Sequence, residues 1–218
     1  MVSISVSPNL SNPQEDALRI KQSFTIVALF TVFLWLIKIA ETFLGANFFN
    51  YGIHPGQLTG LLGIFVAPLI HGSFTHLFTN TAPLLILGTA LLYGYPKSAK
   101  IVIPVIYLGT GLAVWLFARE TYHAGASSLT FGFMFFIFSI GAMRWDKRAI
   151  ALSMIVFFLY GSMIWGIFPT QPGISYESHL FGGLIGLLLA IILKNYDAYT
   201  PDKKYSWEED EDDEFKDI

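Results

Sequence analysis

Apolar and polar positions in this chain change over on the scale of membrane spans. Six apolar runs lie at about residues 24–44, 76–93, 101–117, 127–143, 149–168 and 179–193. A helix needs roughly 20 apolar residues to cross a bilayer. The first run meets that length. Several others fall a little short by strict count, and polar motifs begin three of them. The pattern predicts an all-α, polytopic membrane protein with six transmembrane helices. The first run is too long for a signal-peptide core, lacks a strongly basic segment before it and is followed by further spans, so it reads as a permanent span. Lys38 and Glu41, three residues apart near its end, are placed to pair or to snorkel.

Three segments flank or interrupt the spans. Residues 1–23 are polar and predict a flexible leader, leaving 24–195 as the membrane domain. Residues 45–71 are nearly uncharged yet rich in Phe48, Phe49, Tyr51, Leu58, Leu61, Leu62, Ile64 and Phe65. A solvent loop would not carry that apolar load, so this connection is expected to lie in the membrane interface. Residues 196–218 form an acidic tail, expected to be solvated and disordered.

Composition sharpens this picture. The chain is 54% hydrophobic and 13% charged, about half the charged fraction of a soluble domain, which is roughly 25%. Without cysteine there is no disulfide framework, no thiolate nucleophile and no cysteine-based metal site. The net charge of −3 conceals a division: nine of the 16 acids and three of the 13 bases lie in residues 201–218. The body is mildly basic.

The basic residues also predict orientation. With six spans both termini share a side, which receives Arg19, Lys21, Lys97, Lys100, Arg144, Lys147, Arg148, Lys194, Lys203, Lys204 and Lys216. Only Arg119 falls in an opposite-side loop. Both termini are therefore expected in the cytoplasm, and the starts of spans two, four and six face outward at one depth.

Those three starts carry the polar residues. An unsatisfied polar group in a bilayer core costs several kcal/mol, so its presence there points to function. Ser127 opens span four behind Gly125 and Ala126, where unpaired first-turn N–H groups can serve an oxyanion. Taken alone it equally fits a helix cap with small packing residues. His179 opens span six and can act as a general base. Gly182, Gly183 and Gly186 share its helical face and let another helix approach closely. His76 and Asn80, four apart on span two, can both donate to an oxyanion, with His71 nearer the mouth. Paired histidines also suggest a metal, but no carboxylate lies in the segment and the His-Glu-x-x-His pattern is absent. With Glu120 and Glu177 assigned to outer loops, no acid completes a triad. The economical assignment is a Ser–His dyad in which packing rather than a carboxylate orients the imidazole, with Phe131 placed to stack on His179.

The motifs His71-x4-His76-x3-Asn80, Gly125-x-Ser127 and His179-x2-Gly182-x3-Gly186, in this order and on these spans, resemble the rhomboid family of intramembrane serine proteases over about residues 24–195. The resemblance implies a six-helix bundle, a Ser127–His179 dyad, oxyanion support from His76 and Asn80, and a membrane-lying loop after span one. It implies cleavage of transmembrane protein substrates within the lipid bilayer, with no cofactor, no metal and no nucleic acid. Ser128 stands where the family usually has glycine. The first loop lacks the Trp-Arg pair of some members, and its Tyr51–Pro55 run resembles a different bacterial subgroup. A rhomboid-like protein that binds membrane clients without cutting them is the alternative, and a small transporter is a third reading. Inactive relatives usually lose the serine or histidine, both of which remain here. A transporter would line a path through both leaflets, whereas these polar residues gather near one side. Short loops suggest a minimal enzyme of a bacterial cytoplasmic membrane.

Overall fold

The computed structural model describes residues 13–197 apart from 145 and 170–172. The first part of the expected leader and almost all of the acidic tail lie outside the described residues. Helix α1, Pro13–Phe43, starts well before the apolar run. Glu15 and Asp16 stand in its first turn, where they complement the helix dipole, and no breaker follows until Gly45. Residues 13–23, expected to be flexible, are therefore helical. Near its other end Lys38 pairs with Glu41 at 2.7 Å, and the second carboxylate oxygen of Glu41 accepts from the Phe48 N–H at 2.8 Å.

The remaining helices are α2 (Gly63–Val66), α3 (Phe74–Gly94), α4 (Pro96–Phe117), α5 (Ser127–Met143), α6 (Lys147–Tyr160) and α7 (Tyr176–Leu193). No strand occurs among the described residues; an isolated backbone bridge joins Ile53 to His123. Five helical segments are long and apolar enough to cross a membrane, namely α1, α3, α4, α7 and α6 with its 3₁₀ continuation Gly161–Ile167. The sixth predicted span is α5, with the predicted limits 127–143. It has only 17 residues, and 13 of them are buried. It is the central post of the bundle. Leu77, Leu84, Leu87 and Leu91 of α3 and Val102 and Ile106 of α4 pack around Phe136, Ile137 and Ile140 of α5. The outer helices expose Leu29, Phe33 and Leu36 on α1 and Phe157, Phe158 and Leu159 on α6. Such continuous apolar faces suit lipid rather than water. The protein is an integral membrane protein with an all-α polytopic bundle.

The connection between α1 and α3 is built of short helical turns at Phe48–Tyr51, Leu58–Leu61, Gly63–Val66 and Ala67–Leu69. It is fastened to α4, where Trp115 Nε1 donates to the Gln57 carbonyl at 2.9 Å and the Tyr107 hydroxyl to the Phe65 carbonyl at 2.5 Å. Leu58, Leu62 and Phe65 remain exposed on its outer side. At the far end of the bundle the Asp197 carboxylate accepts from the N–H groups of Lys97 and Ser98, at 3.0 and 2.7 Å. It thus caps α4 from the end of α7 and satisfies donors that have no partner within their own helix.

Candidate active site

The starts of α3, α5 and α7 converge on one cleft of about 980 Å³, lined in part by His76, Asn80, Ser127, Phe131 and His179. Ser127 is the first residue of α5, and His179 lies in the first turn of α7. The Ser127 Oγ is 2.9 Å from His179 Nε2. His179 Nδ1 is 2.9 Å from the Gly166 carbonyl, which can only accept. The proton of a neutral ring therefore sits on Nδ1, and the lone pair of Nε2 faces the serine hydroxyl. Phe131 stacks flat on the imidazole, with ring centroids 4.1 Å apart and an interplanar angle of 7°. The expected stacking partner is thus in place. Packing is joined by a hydrogen bond between Nδ1 and a backbone carbonyl of the 3₁₀ segment after α6, a partner that the sequence did not indicate. Nothing about a glycine in an apolar run marks it for that task.

Close approach of the two helices follows from their glycines. A Cβ on Gly182 would strike the Ser128 carbonyl, and one on Gly186 the Gly132 carbonyl. The α5 and α7 backbones touch directly there, which brings Ser127 and His179 within hydrogen-bond reach. Gly183 faces the Phe135 ring instead.

The loop before Ser127 is held from two sides. The Gly125 N–H donates to the Ala67 carbonyl at 2.8 Å, and the Ala126 N–H donates to His71 Nε2 at 3.2 Å. Both of these amides are therefore occupied. The first-turn N–H groups of Ser127 and Ser128 have no acceptor within their own helix. His71 therefore acts as an anchor for the loop. Gly125 has φ of 124°, and a Cβ there would lie 2.7 Å from His76 Cε1. Both the backbone conformation and the His76 ring exclude a side chain at this point. Asn80 Nδ2 donates to the His76 carbonyl at 2.9 Å, which leaves its second amide hydrogen on the cleft wall. Ser128 does not line the cleft. It borders a separate void of about 10 Å³ together with Tyr107, Thr110 and Gly111.

Two residues that sequence reasoning passed over, His123 and Ser175, join the site's rim. His123, 1% exposed, lies with Nδ1 2.6 Å from Ser175 Oγ and Nε2 3.0 Å from the Arg119 carbonyl. Burial pushes its pKa below the ordinary value of 6.5, so the ring is neutral near neutral pH. Glu177, assigned to an outer loop from the sequence, lies buried in the first turn of α7, with Arg119 Nε 3.2 Å away. It does not complete a triad, since both ring nitrogens of His179 face other partners.

A family model for the rhomboid domain matches residues 55–196. The uncharacterized protein Rv1337 of Mycobacterium tuberculosis is 31% identical over 178 residues, covering 78% of this chain and 74% of its own length. The uncharacterized protein ML1171 of Mycobacterium leprae is 28% identical over 179 residues, 77% of this chain and 70% of its own. The chain belongs to the rhomboid family.

Proposed function

We propose that this protein is an intramembrane serine protease that hydrolyses peptide bonds in or near the transmembrane segments of other membrane proteins. The observation that carries this reading is the Ser127–His179 pair, with its base held in the proton-accepting tautomer inside a membrane-embedded bundle. In the proposed reaction His179 Nε2 takes the Ser127 proton as Oγ attacks the scissile carbonyl. The oxyanion is received by the free first-turn N–H of Ser127 and by donors from His76 and Asn80. His179 then returns its proton to the departing amine. Water, activated by the same imidazole, hydrolyses the acyl-enzyme. Every role falls on groups of this chain, so the scheme requires no cofactor. The basic residues favour cytoplasmic termini and an outward-facing cleft, and the mycobacterial relatives favour a bacterial membrane. The membrane domain is proposed to occupy residues 24–195.

A serine-directed fluorophosphonate tests the proposal in detergent-purified protein. It is expected to label Ser127, and labelling is expected to vanish in His179→Ala. A folded wild-type protein that stays unlabelled and leaves model transmembrane substrates intact would instead favour the client-binding alternative. His76→Ala and Asn80→Ala are expected to lower kcat more than they raise KM, because donors to a developing oxyanion act in the transition state. One such donor is typically worth on the order of 10²–10³ in rate, and main-chain donors soften the loss. Wild-type kcat in both variants would remove these two side chains from the oxyanion site.

A further inference from the structure

Four residues before Ser127 stands His123, and four residues before His179 stands Ser175. Their side chains meet at 2.6 Å. The directions of these bonds can be assigned. The Arg119 carbonyl accepts from His123 Nε2, so the neutral ring offers its Nδ1 lone pair to the Ser175 hydroxyl. With its own proton committed, the Ser175 oxygen accepts from the Ser178 hydroxyl at 2.6 Å and from the Ser178 N–H at 3.4 Å. Ser175 is therefore both the N-cap of α7 and the partner of the loop that delivers Ser127.

His123 is fixed in turn. Its backbone exchanges two hydrogen bonds with Ile53, both at 2.9 Å. Arg119, on the same loop, donates from Nη2 to the Ile174 carbonyl at 2.5 Å and lies over the Tyr176 ring at 5.0 Å. The loop carrying the serine and the first turn carrying the base are thus joined at the reacting atoms, through His123 and Ser175, and through Arg119. The first link must break and re-form during acyl transfer. The second takes no part in the proton transfers.

We propose that His123 and Ser175 form a strap that holds the start of α7 against the Ser127 loop, making His123 a positioning residue for the Ser127–His179 pair. The inference rests on the protease reading above. The strap keeps the serine–histidine separation while the direct bond is broken, so its loss slows the chemical step and leaves substrate binding in place. Leucine at position 123 retains bulk without an acceptor. Asparagine offers an acceptor oxygen close to the position of Nδ1.

The test uses the full chain in detergent, with rates of fluorophosphonate labelling, kcat and KM on a model transmembrane substrate, and amide hydrogen exchange over residues 173–179. His123→Leu and Ser175→Ala are each expected to slow labelling and kcat by about tenfold, less than the 10²-fold that a 1 Å misplacement can cost because Arg119 still tethers the turn. KM is expected to stay unchanged. The double variant is expected to be no slower than the slower single one, as for two residues acting through one contact. His123→Asn is expected to recover most of the rate. Exchange over 173–179 is expected to quicken in His123→Leu and not in His123→Asn. Independent, additive losses, or an asparagine variant as slow as the leucine one, would overturn the strap. Labelling that persists in Ser127→Ala defeats the protease reading instead; the exchange data then decide the strap alone, with faster exchange supporting it and unchanged exchange refuting it.

Discussion

Ser127→Ala is expected to abolish proteolysis of a transmembrane substrate, whereas Ser128→Ala is expected to stay within about tenfold of wild type, a barrier change of about 1.4 kcal/mol. The two serines are adjacent, but successive helical residues point about 100° apart, as 3.6 residues per turn requires. Ser127 faces His179 at 2.9 Å, while Ser128 borders the small void on another side. Removing a serine nucleophile costs on the order of 10⁶ in kcat where it has been measured in a soluble protease. Ser128→Gly is expected to keep or raise activity, since Ser128 contributes its backbone to the packing against Gly182 and does not line the cleft. Cleavage assays on the three variants, with thermal unfolding to confirm folding, decide the matter. An active Ser127→Ala beside a dead Ser128→Ala would move the nucleophile by one residue and undo the site as described.

Gly186→Leu is expected to cause a smaller but still large loss, about 10²-fold, by a different route. Any Cβ at this position would strike the carbonyl oxygen of Gly132, with the Gly132 carbonyl carbon at 2.9 Å and its Cα at 3.0 Å. Backbone cannot rotate aside as a side chain can, so α7 must move away from α5. Overpacking of this kind typically costs 1–3 kcal/mol, and about that much destabilisation is expected here. The displacement also separates His179 from Ser127, and a 1 Å misplacement can cost about 10²-fold in rate. Gly186→Ala is expected to show a smaller version of both effects. Thermal unfolding and kcat measured together test this. A Gly186→Leu variant with wild-type stability and turnover would show that the two backbones are not in contact.

Much of the membrane bundle was legible because lipid makes two simple demands. Each span must be apolar over a set length, and each backbone polar group must be satisfied within its own helix. The span at 127–143 could therefore be placed residue by residue. The span at 149–168 matches the segment Lys147–Ile167, but its change from α to 3₁₀ geometry after Tyr160 was not legible. Apolar composition is the same in both geometries. The start of α1 was also missed, since the polar residues from Pro13 onward form helix as readily as a leader when no breaker intervenes.

The sequence by itself determined the parts that depend on side-chain chemistry and helical spacing. These are the polar residues Ser127, His179, His76 and Asn80 at the starts of three spans, the glycine face at Gly182 and Gly186, and Phe131 one turn beyond Ser127. Tertiary structure alone decided which atoms complete those residues. The Gly166 carbonyl sets the His179 tautomer, yet a carbonyl belongs to every residue and leaves no mark in a sequence. His71 takes the Ala126 amide from 55 residues away, a pairing that no spacing in the sequence announces. His123 belongs to no motif, and only folding brings it against Ser175, 52 residues away. Such pairings depend on how whole helices dock, and local residue patterns carry no record of them.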